Sequence, residues 1–140
     1  MNPMIEHHQK KRFEERKQDF ANCVVQLKEA IQQPYSPFIR DAVIKRYEFC
    51  WETGWKLLKS WLTAEGITVT TPRSVWKEAF AYGLLSGDAD VWMQAQKMRN
   101  LTTHTYDEAM ANAVYDFICQ QALVLFCDLA EKSASWSLQQ

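Results

Sequence analysis

Apolar residues recur every three or four positions along most of this chain, the spacing of a helix face rather than the alternation of a strand. Phe13, Phe20, Val24, Leu27 and Ile31 make one such stripe, and Lys, Arg and Glu fill the remaining faces from about Lys10 to Gln33. Gln33-Pro34-Tyr35-Ser36-Pro37 stops this helix, because each proline lacks a donor and restricts its neighbour. A second helix is predicted from about Phe38 to Ala64, with Ile44, Tyr47, Trp51, Gly54, Leu58 and Trp61 in step and Trp55 and Leu62 widening the stripe. At the α-helical rise it is about 40 Å long, a full bundle length. Gly54 costs helix propensity, so it predicts close approach of another backbone. Glu52 and Lys56 stand four apart and predict a local ion pair.

Gly66 reads as the C′ residue that ends this helix. Ile67-Thr68-Val69-Thr70 is β-like but too short and isolated to build a sheet. Thr71-Pro72 reads as N-cap and N1 of a third helix, through Val75, Trp76, Ala79 and Phe80 to Gly83. Asp88 is the predicted N-cap of a fourth, whose Val91, Trp92, Ala95 and Met98 face one way and which delivers Arg99 at its end. Asp107 and Glu108 suit the start of a last helix running to about Lys132, with Met110, Val114, Phe117, Ile118, Leu125 and Leu129 on a broad apolar face. The expectation is an all-α, antiparallel up-and-down bundle of about five helices. It forms one domain over residues 10–132, with flexible tails at 1–9 and 133–140.

Composition adds limits. Six Trp and seven Phe in 140 residues exceed what one small core needs, which predicts a homodimer whose apolar surface covers a second copy. A net charge of −1 supplies no general field for nucleic acid, so binding to RNA requires a local patch and DNA is not an expected partner. The four cysteines, Cys23, Cys50, Cys119 and Cys127, form no CxxC pair and read as buried reduced thiols of a cytoplasmic protein. The polar N-terminus is no signal peptide, and no apolar run approaches the roughly 20 residues of a membrane span, so no membrane association is expected. His7-His8 lacks a third ligand nearby, so no metal site is predicted, and no cofactor motif is present.

Chemistry concentrates in Arg99-Asn100-Leu101-Thr102-Thr103-His104-Thr105-Tyr106, a break between two helices. Arginine neutralises phosphate with directed hydrogen bonds, and histidine exchanges protons near neutral pH. Together they suit RNA cleavage without a metal, with Arg99 holding phosphorane charge and His104 in acid/base work. One histidine is thin for both proton transfers, and a two-fold dimer would supply the second. A structural role fits the same residues: His104 capping a helix end, Tyr106 packed with its hydroxyl satisfied. Arg46, Tyr47, Glu48 and Glu52 on the second helix either form a solvated face or line a cleft with this turn, where Arg46 and Lys97 would add positive charge.

The run Arg99 to Glu108 resembles the signature of the HEPN superfamily, in its Arg-x4-His-x-Tyr form. More narrowly it is similar to the small HEPN proteins described as nucleotidyltransferase substrate-binding subunits, which are paired with MNT, a minimal nucleotidyltransferase, in bacterial two-gene modules. Arg46-Tyr47-Glu48-Phe49 with Glu52, Trp55, Lys56, Leu57 and Leu58, and Thr71-Pro72-Arg73 with Glu78-Ala79-Phe80 and Gly83-Leu84, extend the resemblance over about residues 12–132. The resemblance implies a dimeric bundle with both protomers' Arg and His in a shared cleft, and a metal-independent endoribonuclease toxin. It implies Arg99 and His104 as catalytic, Arg99, Asn100 and Arg46 as RNA- or phosphate-binding, and Tyr106 as the acceptor of AMP from an MNT-type antitoxin that silences the toxin. The alternative it carries is a non-catalytic nucleotide- or substrate-binding subunit of a two-component nucleotidyltransferase. A structural helical dimer with a fortuitous motif is the third reading.

Overall fold

Helix α1 (Pro3–Ile31) and helix α2 (Pro37–Ala64) form the longest pairing of the fold in a computed structural model that describes residues 3–138. The turn between them is set locally. Ser36 is extended (φ −154, ψ 163) and its hydroxyl oxygen accepts from the Ile39 amide at 3.1 Å, with Pro37 opening the helix. At the other end of α2, Gly66 takes φ +83, the Ile67 amide donates to the Leu62 carbonyl at 2.9 Å and Gly66 donates to Thr63 at 3.0 Å. This is a Schellman ending, which needs the left-handed residue that glycine supplies.

Helix α3 (Pro72–Ala81) opens with a reciprocal cap in which the Ser74 amide donates to Thr71 Oγ1 and the Thr71 amide donates to Ser74 Oγ, both at 3.1 Å. Helix α4 (Ala89–Leu101) follows Asp88, which is extended but makes no side-chain cap bond, and runs into a 3-10 turn at Thr102–His104. The last helix, α5, runs as Glu108–Phe117, a π-helical turn at Ile118–Ala122, and Leu123–Ser133. The sequence, without Gly or Pro there, predicts no such interruption. Ile67–Thr70 is irregular, and the described residues contain no strand.

The described residues are therefore all-α, with five helices in a bundle. Its core stacks Trp76 between Trp51 (centroids 4.4 Å) and Trp92 (5.0 Å), with Phe20 and Phe126 against them. Half of the tryptophans thus serve the interior, which changes the reading of the aromatic surplus. The large hydrophobics left exposed are others, among them Phe38, Phe49 and Met93. Gly54 is indeed a point of close approach, but to side chains: a Cβ there would lie 3.1 Å from both Phe20 Cε1 and Trp76 Cη2.

Several expectations are corrected. Helix α1 starts at Pro3, so residues 3–9 are helical rather than a tail. At the other end Ser133 is buried, Trp136 lies 6.2 Å from Trp61 and Lys17 Nζ donates to the Trp136 carbonyl at 2.7 Å, so this segment is docked. Residues 1, 2, 139 and 140 of the expected tails lie outside the described residues. Of the four free thiols only Cys50 is fully buried, and three are half-buried. Burial pushes Cys50, Cys119 and Cys127 above the usual thiol range, away from reactivity. Finally, Glu108–Ala134 is long and apolar enough to cross a membrane by length and composition (27 residues, hydropathy 1.4), although no such run was expected; part of that apolar surface is the core face of Val114, Ile118, Phe126 and Leu129.

Candidate functional site

Three threonines shape the turn that carries the motif. Thr102 Oγ1 donates to the Arg99 carbonyl at 2.7 Å, Thr103 to that of Asn100 at 3.2 Å, and Thr105 to that of Thr102 at 3.2 Å. These hydroxyls satisfy carbonyls that the ending helix leaves open, and they tighten it into the 3-10 turn. Asp107 then caps α5, its Oδ1 accepting from the Met110 amide at 3.0 Å.

Arg99, on the last turn of α4, reaches inward to α2. Its Nη2 donates to Glu52 Oε1 at 3.1 Å and its Nη1 to Thr102 Oγ1 at 3.3 Å. The other carboxylate oxygen of Glu52 accepts from Trp55 Nε1 at 2.8 Å. Glu52 is thus spent on the distant Arg99 and on Trp55, three residues along its own helix, and the predicted Glu52–Lys56 pair does not form. Arg99 Nε is buried without a partner, a condition that among the described residues only Trp76 Nε1 shares.

His104 and Tyr106 face outward. Tyr106 is 86% exposed, and the two rings lie edge to face with centroids 6.0 Å apart. The His104 side chain is exposed and enters no hydrogen bond or ion pair among the described residues, so it does not cap a helix end. Asn100 lies at a groove of about 710 Å³ between α3 and α4 that Arg73, Lys77, Phe80, Met93 and Lys97 help to line.

The residues expected from α2 separate. Tyr47 does not line a cleft: it is fully buried, and its hydroxyl donates to the Ala95 carbonyl at 2.5 Å, fastening α4 to α2 one turn before Arg99. Burial pushes its phenol far above the usual range, and the nearby Arg99 charge opposes this only in part. Glu48 pairs locally with Lys45 at 3.6 Å. Arg46 donates to the Gln26 carbonyl of α1 at 2.6 Å, so its guanidinium is engaged with α1 rather than with Arg99 and Glu52. Only Glu52 meets the motif.

Sequence reasoning put Trp55, three residues after Glu52, in the apolar stripe and in the family resemblance but not at the site, and it missed Arg40. Buried Arg40 donates to Asn112 Oδ1 at 3.1 Å and lies 3.6 Å from Glu108, which fixes the first turns of α5 after the motif. The hydrogen bond from Arg40 to Asp41 raises its pKa further, so its charge is permanent. Nothing in the sequence marks this partner choice. Among the described residues no group of three or more His, Cys, Asp or Glu is placed to hold a metal ion.

Residues 15–135 match the family described as nucleotidyltransferase substrate binding protein like. The probable ribonuclease HepT of Haemophilus influenzae is 33% identical in a match spanning 59% of this chain and 62% of that protein, so the chain covers less than two thirds of that relative. A crystal structure from Thermus thermophilus superposes with a TM-score of 0.67 at 32% identity, covering 82% of this chain and 95% of that one. A Haemophilus influenzae structure, described as revealing the fold of a substrate binding domain of a nucleotidyltransferase, gives a TM-score of 0.58 at 26% identity, covering 89% of this chain and 98% of that one.

Proposed function

The chain belongs to the nucleotidyltransferase substrate-binding-protein-like family, and we propose that within it the chain acts as a metal-independent endoribonuclease in homodimeric form. The observation that carries this reading is the division of labour on one turn: Arg99 is fixed by Glu52 and Thr102 yet keeps 24% of its side chain exposed, while the His104 imidazole stands at the surface without a hydrogen bond. In the proposed step an imidazole takes the proton of a ribose 2′-hydroxyl, whose oxygen then attacks the adjacent phosphorus. Arg99 balances the charge of the phosphorane. The departing 5′-oxygen receives a proton from a second histidine in its imidazolium form, leaving a 2′,3′-cyclic phosphate and a free 5′-hydroxyl. A two-fold dimer supplies that second His104. The similarity to a probable ribonuclease supports this chemistry.

Tyr106 is proposed as the site at which an MNT-type nucleotidyltransferase places AMP. Its 86% exposure gives such an enzyme access, and the 6.0 Å to the His104 ring means a bulky anion there would obstruct the histidine. The module would then be a toxin and its silencing antitoxin.

A second reading is a non-catalytic subunit that presents substrate to a nucleotidyltransferase. The description of the second Haemophilus influenzae relative favours it, and so does the ion pair that already occupies one edge of Arg99. RNA cleavage in excess chelator separates the two. The protein, shown by intact mass to be unmodified, should cleave RNA, and His104→Ala and Arg99→Ala should lose at least about a hundredfold in rate. Absence of cleavage by the wild type, with tight binding to the nucleotidyltransferase, would establish the second reading.

A further inference from the structure

The early start of α1 creates a feature that the family motif does not touch. His8, Arg12 and Arg16 stand four apart, so at the helical rise they form a stripe with steps of about 6 Å along one face of α1. Across from them, Lys56 and Lys59 project from the second half of α2, and the two rows face one groove of about 530 Å³. Its wall includes Trp55, with Lys59 Nζ 6.0 Å from the centre of the indole ring. Among the described residues no carboxylate lines it.

Four permanent cations in one groove repel each other, and acidic neighbours would normally compensate them. Here none of Arg12, Arg16, Lys56 and Lys59 enters an ion pair among the described residues. Glu52, the acid best placed in sequence to neutralise Lys56, is drawn off by Arg99 and Trp55. That ion pair therefore does two things: it fixes Arg99 and it leaves the groove uncompensated in a chain whose net charge is −1. Trp55 belongs to both, since its indole lines the groove and its Nε1 donates to the carboxylate that holds Arg99. A row of cations interleaved with an aromatic ring is the composition of a track for a single strand.

We propose that the groove between α1 and the second half of α2 binds the phosphate backbone of single-stranded RNA and leads the strand to the Arg99 turn. The identity of the anion as RNA rests on the ribonuclease reading. The groove itself rests on the uncompensated charge.

The test is fluorescence polarisation of a labelled 2′-O-methyl RNA, which binds but lacks the nucleophile for cleavage, against the full chain over a range of salt concentrations. Lys56→Gln/Lys59→Gln and Arg12→Gln/Arg16→Gln should each weaken binding about tenfold and lower the slope of log K against log salt by about 1.4, the value for two lost contacts to a single strand. Lys10→Gln/Lys11→Gln, which removes equal charge from α1 outside the groove, should change neither as much. Circular dichroism checks that each variant folds. Equal losses in all three double variants, an unchanged slope, or binding of anionic phospholipid vesicles with none of RNA would overturn the proposal. Cleavage measured alongside separates the two claims. Groove-dependent binding without cleavage sinks the nuclease reading alone, and His104-dependent cleavage with groove-independent binding sinks this proposal alone.

Discussion

Arg99 at the end of α4 and Glu52 in the middle of α2 are joined by a 3.1 Å contact across 47 residues of sequence. Glu52 is half exposed, so the pair adds little to stability, and its effect is to fix where the guanidinium points.

Glu52→Ala should therefore lower the rate of RNA cleavage by about ten- to a hundredfold while KM changes less, because a catalytic group displaced by about an ångström forfeits that much. Glu52→Gln keeps an oxygen for Arg99 and should recover part of the loss. Steady-state kinetics on both variants checks this, and an unchanged kcat in Glu52→Ala would show that Arg99 needs no such support.

Tyr47→Phe removes the bond between α2 and the Ala95 carbonyl without altering the packing of the ring. Stability in urea should fall by about 1 kcal/mol, a typical net value for one buried hydrogen bond. Cleavage should fall as well, since Arg99 lies one turn beyond the lost tether. A variant as stable and active as the wild type would mean that α4 is held by apolar packing alone.

Gly54→Ala sets two opposed effects against each other. Alanine favours the helix by about 1 kcal/mol. The added Cβ meets the rings of Phe20 and Trp76 at 3.1 Å, and overpacking of this kind costs about 1–3 kcal/mol. Both rings belong to a filled core, so the clash should win and the midpoint of urea unfolding should fall, with a change in the near-ultraviolet dichroism of the tryptophan stack.

The Asp128 carboxyl is held below its usual range, first by the hydrogen bond from the Ser86 hydroxyl and then by Lys132, 3.3 Å away. A depressed folded-state pKa adds stability above the unfolded-state value, and that contribution is lost as the pH falls through the folded-state value. Ser86→Ala should consequently lower Tm at neutral pH, and the difference should shrink as the pH falls below the ordinary carboxylate range and on through the depressed folded-state value. Tm measured across that interval for both proteins tests it; a constant difference would point to packing instead.

Tyr106→Phe keeps the ring that meets His104 and removes only the hydroxyl of an exposed side chain, so stability should stay within about 0.5 kcal/mol of the wild type. It should abolish the AMP adduct after incubation with the nucleotidyltransferase and ATP, as read by intact mass. An adduct on the variant would move the modification to another residue.

What the sequence determined by itself is what depends on neighbours in the chain. Ser36, Gly66, Thr71 and Asp107 end or begin helices through hydrogen bonds that span three to five residues, so these boundaries are legible from residue type and spacing. The candidate site is legible for the same reason, because Arg99, His104 and Tyr106 lie within eight consecutive positions. The family resemblance rests on that contiguity.

The tertiary structure decided which groups meet. Glu52 has a local candidate in Lys56 and takes the distant Arg99 instead. Tyr47 stands between Arg46 and Glu48 in sequence, yet Tyr47 goes to the core, Arg46 to α1 and Glu48 to a local lysine. Trp51, Trp76 and Trp92 stack although nothing in their spacing requires it. The tail with His8 becomes the first turns of α1 and one wall of a basic groove. A helix stripe says that a residue is buried but not against what, since about 3.6 residues per turn fix direction around one axis and only the packing of several axes fixes partners.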